Sequence, residues 1–367
     1  MTRPDLVIVG GGIIGCSAAA FASERGASVV LLESSEIGAG ASGRNSGVVQ
    51  HPFDPVLAPL HEATIGHYRD LADGGFRFPA EPAGLLLLTD DPAAARARVA
   101  ELRGSEPALA AAFLDEAALR QREPLLAAGF CAVLLATGYP IPPHAATQAM
   151  AARAVRAGAE LRVGVRAISL DRGPAVRLDE GARLEAGAIL VAAGPWTAEL
   201  LDPTGTWQPI RPTYGVTVQV ALSSTPGSVL EEGAVHTVNR PVGADEPADG
   251  LYAFSMVTAD GVSTVGSTFL PTAPEPEALA ARLVAHGAQF VPTLASAAIV
   301  RSRVCARPQS IDGRPFIGPL DGREGVFVTA GHGPWGISTG PASAALVVDA
   351  ILDDGAIPPA LAASRLG

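Results

Sequence analysis

An α/β fold with two interleaved domains is predicted by three features of this 367-residue chain. A glycine-rich strand–turn–helix opens it. Two more apolar strands end in glycine turns, near residues 194 and 331. Strand-rich stretches without such turns lie between them. Hydrophobic residues make up 48% of the chain, enough for a full core in each domain.

Leu6 to Val9 is an apolar, largely β-branched run that suits a buried parallel strand. Gly10-Gly-Gly12-Ile13-Ile14-Gly15 follows as G-x-G-x-x-G. Gly10 allows a tight turn, and Gly12 lets a pyrophosphate approach the backbone. Gly15 lets the next helix, with its small residues Ser17 to Ala20, pack close to the sheet. That helix points free N–H groups and a partial positive charge at the phosphates. Gly26 ends it. The next strand, Ser28 to Glu33, closes on an acid placed for an adenosine ribose; a carboxylate there repels the 2′-phosphate of NADP. Strand, turn, helix, strand and acid thus predict a Rossmann-type domain holding the ADP half of a dinucleotide.

A small-residue loop from Gly38 to Gly47 leads into Val48-Val49, and residues 69–82 look irregular. Gly84 to Thr89 reads as a strand; Pro92 to Arg103 and Asp115 to Arg122 read as exposed helices. Pro143 to Ala157 is a helix between Pro142 and Gly158. Strands are predicted at 160–163, 166–170, 175–178 and 183–185, and a second buried strand from Gly187 to Gly194. Val216 to Leu222, Gly250 to Phe254 and Ser263 to Ser267 look antiparallel, and Pro276 to Phe290 helical. A third strand–turn runs from Gly325 to Gly336, before a small-residue helix from Ser338 to Leu352. The expected division places 1–82, 140–205 and 300–367 in the nucleotide domain, with 83–139 and 206–299 in a substrate-covering domain.

A formal net charge of −11 argues against nucleic acid or an anionic membrane as partner. No basic region precedes the first strand, so no signal peptide is expected. The apolar stretch from Leu6 to Ala22 is explained by the nucleotide motif and is not expected to span a membrane. The three cysteines, Cys16, Cys131 and Cys305, are isolated, which argues against disulfides and a zinc site and for the cytoplasm. All 26 basic residues are arginine. The absence of lysine excludes a Schiff-base lysine and a Walker P-loop.

Four segments together resemble the FAD-dependent amine and amino-acid oxidoreductases, a family that includes D-amino-acid, glycine and sarcosine oxidases. They are the opening motif, the Gly40-to-Gly47 loop, Leu190-Val-Ala-Ala-Gly-Pro-Trp196, and Arg307-to-Gly318 continued through Gly331-to-Gly336. The resemblance implies a bound FAD, with non-covalent attachment favoured. It places Ser34 beside the ribose-binding acid and Val165 at the adenine, with Ala193, Gly194 and Trp196 against the nucleotide. Ser42, Gly43, Arg44, Asn45, Ser46, Gly47 and Val48 are expected along the pyrophosphate, the ribityl chain and the flavin. The turn Gly331, His332, Gly333, Pro334, Trp335, Gly336, Ile337 and Ser338 is expected at the pyrimidine edge. Reduction places negative charge on that edge, where helix N–H groups would stabilise it.

Arg307 is the expected two-pronged binder of a substrate carboxylate, with Arg301, Arg303 and Arg314 as nearby alternatives. The second substrate arginine of glycine oxidases is absent: Pro334-Trp335 stands in that turn, where Trp335 could wall the substrate. His332 is expected beside the flavin. Gln50 and His51 follow the flavin loop, and either could face the active site. Tyr214 and Tyr252 on cover strands could orient a carboxylate or simply pack. Cys305 stands near the cysteine that sarcosine oxidases join to FAD, or is a plain buried thiol. Three functions stay open on these residues. The first is C–N oxidation of an amino acid or secondary amine, with oxygen or another electron acceptor. The second is oxidation of a 2-hydroxyacid or polyol, for which His51 or His332 must act as base. The third is dinucleotide binding without catalysis. Oligomeric state is not legible.

Overall fold

The structure, a computed structural model, describes residues 3–233 and 251–366. The opening motif builds the centre of a six-stranded sheet. Leu6–Val9 lies between Ala188–Val191 and Val29–Glu33, all parallel. Glu160–Val163 extends one side; Val326–Ala330 and the antiparallel Phe316–Pro319 extend the other. All four residues of Leu6–Val9 are buried, as a strand covered on both faces requires. The Ile13–Glu24 helix packs between Pro143–Arg156 and the C-terminal helix Gly336–Leu352. Gly340 permits that contact: a Cβ there would stand 2.7 Å from Ile14 Cγ1. Gly333–Leu352 is long and apolar enough to cross a membrane, but two thirds of its most apolar window is buried inside this protein. It is explained as a core helix.

The second layer is an eight-stranded, mostly antiparallel sheet. Its order is Ala298–Ser310, Ile210–Ala221, Val262–Phe269, Leu251–Ala259, Val229–Glu232, Leu85–Thr89, Cys131–Leu135 and Ala112–Leu114. The expected domain boundary at 300 falls inside the Ala298–Ser310 strand, which pairs with Ile210–Ala221 along nearly its whole length. Its register carries residues 303, 305 and 307 on one face, toward the nucleotide layer.

Several elements are absent from the sequence expectation. The Ala58–Arg69 helix is one: prolines and polar residues dilute its apolar stripe. The Ala298–Ser310 and Val229–Glu232 strands are others, since charge interrupts their alternation.

Candidate active site

Residues from both layers enclose a cavity of about 740 Å³, within the range of small-molecule sites. Its nucleotide end follows from the glycine turn. A Cβ on Gly10 would stand 2.4 Å from the Ala192 carbonyl oxygen, and one on Gly15 would stand 1.9 Å from that of Gly10. No larger residue fits either position. Gly12, at the cap position of the helix, has no side chain to bond its N–H groups, and it lines the cavity with Ile13 and Ile14. The Ile13 N–H donates to Ser42 Oγ at 2.9 Å. Glu33 accepts the Gly11 N–H at 2.7 Å and the Ser35 N–H at 2.8 Å, which fixes its carboxylate at the cavity wall beside Ser34 and Val165. Ala193, Gly194 and Trp196 line the opposite wall. Trp196 is 54% exposed, so the cavity reaches solvent there. A fixed acid, a helix N-terminus and a glycine turn without side chains fit the ADP half of FAD.

In the loop, Ser42, Arg44 and Asn45 line the cavity, whereas Gly43, Ser46, Gly47 and Val48 do not. Gly43 and Gly47 instead press against the carbonyls of Gly38 and Ile141. The Asn45 amide donates to the Ala41 and Ser42 carbonyls at 2.9 and 3.0 Å, and its oxygen accepts the Gly47 N–H at 2.8 Å. These bonds knit the turn.

The neighbouring arginines separate by their partners. Arg314 pairs with Asp54 at 3.0 Å. Arg303 donates to the Gly43 and Asn45 carbonyls and so holds the loop. Arg301 is exposed. Arg307 lines the cavity. It donates to the Thr268 carbonyl at 2.9 Å and Ser267 Oγ at 2.6 Å, and stacks 4.5 Å over Phe269. Gly215 makes room for it: any Cβ there would collide with the guanidinium. No carboxylate pairs with Arg307 among the described residues. A half-buried, oriented cation without an anion is a carboxylate site in waiting. Cys305 also lines the cavity, but burial pushes its thiol pKa up, which favours the neutral thiol.

At the far end His332, Gly333, Pro334, Gly336 and Ile337 line the cavity; Gly331, Trp335 and Ser338 stand behind them. Trp335 is 6% exposed and belongs to the core of the nucleotide layer, which corrects its expected role as a substrate wall. His332 is buried, with Nε2 3.0 Å from Ser343 Oγ, and Nδ1 has no partner among the described residues. Burial holds its pKa down at about 3.

A device that the sequence did not reveal positions this turn. Pro341 lies inside the C-terminal helix and has no N–H to give the Ile337 carbonyl. Tyr68 Oη donates to that carbonyl at 3.0 Å instead. The Ala342 N–H donates to Thr64 Oγ1 at 3.2 Å, and His61 is buried one turn earlier on the same helix. Thr64 and Tyr68, which make these bonds, share one face of the Ala58–Arg69 helix. That face therefore replaces the bonds the proline breaks and holds the uncapped turn against the cavity. Tyr68→Phe is expected to lower stability by about 1–3 kcal/mol through the orphaned carbonyl, as read by denaturant unfolding.

His51 does not line the cavity. Its Nδ1 accepts the Phe53 N–H at 3.1 Å, and its Nε2 lies 3.6 Å from Glu106. Tyr214 is likewise off the cavity: Gly215 and Thr217 face the flavin loop, so strand alternation turns Tyr214 the other way. Tyr252 pairs with Thr268 in backbone register, but its side chain lies outside the described residues, as does His236.

His61 and His332 carry a pH prediction. Burial lowers the pKa of His61 to about 4, and that of His332 further. Both bind fewer protons folded than unfolded, so their stabilising contribution is present above about pH 6.5 and is lost on acidification. Each is expected to contribute up to about 1.4 kcal/mol per pH unit between pH 6.5 and 4. Urea unfolding across that window should show the slope, and His61→Gln should flatten it.

Comparison with known proteins agrees with this architecture. A family profile described as FAD dependent oxidoreductase matches residues 5–350. The glycine oxidase of Pseudomonas putida is 28% identical, over 94% of this chain and 93% of its own. The crystal structure of glycine oxidase from Geobacillus kaustophilus superposes with a TM-score of 0.84 at 24% identity, covering 100% of this chain and 99% of that one. Iminodiacetate oxidase from Chelativorans sp. gives 0.77 at 22% identity, covering 97% and 98%.

Proposed function

The chain belongs to the FAD-dependent oxidoreductase family, and on that premise we propose that it oxidises the C–N bond of an amino acid or secondary amine. The observation that carries this reading is Arg307, a cation on the cavity wall that no carboxylate partners among the described residues. Its bonds to Thr268 and Ser267 hold the guanidinium at a set angle, so a carboxylate binds in one orientation. FAD, when bound, takes a hydride at N5. Beside the end of the Arg307 strand, where His332 bridges Gln309, the uncapped start of Gly336–Leu352 offers backbone N–H groups where charge develops on reduction. The imine product then hydrolyses in water, and oxygen or another acceptor removes the electrons.

The hydroxyacid alternative requires a base. The unpartnered Nδ1 of His332 is the observation in its favour. A pKa of about 3 leaves that nitrogen neutral and too weak to take an alcohol proton efficiently. The rate profile of His332→Asn is therefore expected to keep the wild-type limbs between pH 5 and 9. Loss of a limb would favour the hydroxyacid. Three free cysteines support the cytoplasm as the compartment we infer. Anaerobic mixing with D- and L-amino acids, N-methyl amines and hydroxyacids tests the whole reading. Bleaching of the flavin by an amine is expected; bleaching by hydroxyacids alone would refute it.

A further inference from the structure

The short Ala41–Arg44 helix of the flavin loop ends in carbonyls that its own backbone leaves unpaired. The cover sheet supplies donors for them. Thr217 Oγ1 donates to the Arg44 carbonyl at 3.4 Å. Arg303 Nη2 donates to the Asn45 carbonyl at 3.2 Å, and its Nη1 to that of Gly43 at 3.5 Å. Thr217 and Arg303 are direct partners in the antiparallel register, so their side chains leave the sheet on one face. Arg44 and Asn45, whose carbonyls they hold, line the cavity. From the nucleotide layer the Ile13 N–H donates to Ser42 Oγ in the same turn. The flavin loop is therefore pinned between the two layers.

An arginine is a costly residue for a purely structural bond at this place. No carboxylate pairs with Arg303 among the described residues, and its Nε is buried there without a partner. Burial, and after it the Arg301 charge, disfavours the protonated guanidinium. A partly buried cation without an anion lowers stability rather than adding to it. What arginine supplies is a rigid fork, two donors in one plane that meet two carbonyls of one turn.

The same strand carries Arg307. Residues 303, 305 and 307 share a face, and Cys305 and Arg307 line the cavity. Arg303 pairs with Thr217 and Arg307 with Thr213, and no bulge interrupts the ladder between those rows; its irregularity falls beyond them, at Gln219 and Val220. Four residues of extended strand span about 13 Å. One end of that span grips the flavin loop, and the other carries the carboxylate fork. A paired strand fixes such a distance more tightly than a loop does.

We propose that Arg303, assisted by Thr217, is a positioning residue for the oxidation: it holds the flavin loop at a set distance from Arg307, so that a substrate gripped by Arg307 presents its C–H bond to the flavin. Arg303 touches neither ligand and acts through the carbonyls of the cavity wall. Its effect is geometric, and a misplacement of about 1 Å can cost up to about a hundredfold in rate. This inference rests on the amine reading of the function, with Arg307 as the carboxylate binder.

Three readouts test it. FAD affinity is read by fluorescence as apoprotein is titrated. Propanoate, a plain carboxylate, reports on Arg307 through its perturbation of the flavin spectrum. The limiting rate of anaerobic flavin reduction is read at saturating FAD, with whichever of the amino acids and N-methyl amines bleaches the wild type fastest. Arg303→Leu is expected to weaken FAD binding and to lower the limiting rate, each by at least about tenfold. The propanoate constant is expected to stay within about threefold, because Thr268 and Ser267 still anchor Arg307. Arg303→Lys is expected to fall between, since a point donor replaces the fork. Arg301→Leu removes an exposed charge two residues away and is expected to move none of the three. Thr217→Val removes only the bond to Arg44 and is expected to shift FAD affinity and rate by about two- to fivefold; it serves should Arg303→Leu fail to fold. A limiting rate unchanged in the Arg303 and Thr217 variants would overturn the assignment, whatever FAD affinity does. A propanoate constant that weakens in step with the rate would also overturn it, since Arg303 would then act on the carboxylate. Failure of the amine reading looks different and shows with Arg303 intact: no amine bleaches the wild-type flavin, or propanoate binds Arg307→Ala as well as the wild type.

Discussion

Arg307→Ala is expected to lower kcat/KM for the carboxylate-bearing substrate by about 10²–10³-fold, mostly through KM, while the yellow cofactor stays bound. The magnitude follows from removing a charge-assisted, two-pronged contact in a desolvated site. The direction of the split follows from position. The guanidinium is anchored by Thr268 and Ser267 on the cover sheet, not by the nucleotide layer. Arg307→Lys is expected to recover little, because a point charge reproduces neither the fork nor the contact with Phe269. Steady-state kinetics beside the flavin absorbance checks both. Unchanged KM in the alanine variant would remove Arg307 from the site.

Gly12→Val is expected to give a folded but colourless protein, with FAD affinity reduced more than about a hundredfold. A Cβ at Gly12 meets only Ser42 Oγ, at 3.0 Å, so the protein itself tolerates the position better than Gly10 or Gly15. The added carbons occupy the face on which a pyrophosphate would lie. Reconstitution with FAD, followed by circular dichroism, separates loss of the cofactor from loss of the fold. Gly15→Val should fail on both counts, since its Cβ would sit 1.9 Å from a backbone oxygen.

How much could be read from the chain differs between its two halves. The nucleotide layer was legible because its function is written in backbone geometry. Glycines at 10, 12 and 15 and the acid at 33 are demanded by turn sterics and by free N–H groups, and a short stretch of sequence contains them all. The cover sheet was legible only in pieces. Arg307 was found through a family likeness, and its partner strand pairs with residues almost a hundred positions earlier. The clamp of Thr64 and Tyr68 was hidden. Pro341 reads as a flaw in a predicted helix until the facing helix is seen to supply the missing bonds. His51 and Tyr214 were proposed from nearness in sequence to the flavin loop and the cover strands. Strand alternation and a bond to the Phe53 backbone direct them elsewhere.

Stabilisation of the reduced flavin is assigned to the backbone turn at 332–338, braced by the Ala58–Arg69 helix. An anaerobic redox titration of the FAD-bound protein, against free FAD in the same buffer, measures this directly. A midpoint potential more positive than that of free FAD and an anionic reduced form are expected, with the advantage shrinking in Tyr68→Phe. A bound flavin with the potential of free FAD, indifferent to Tyr68, would contradict it.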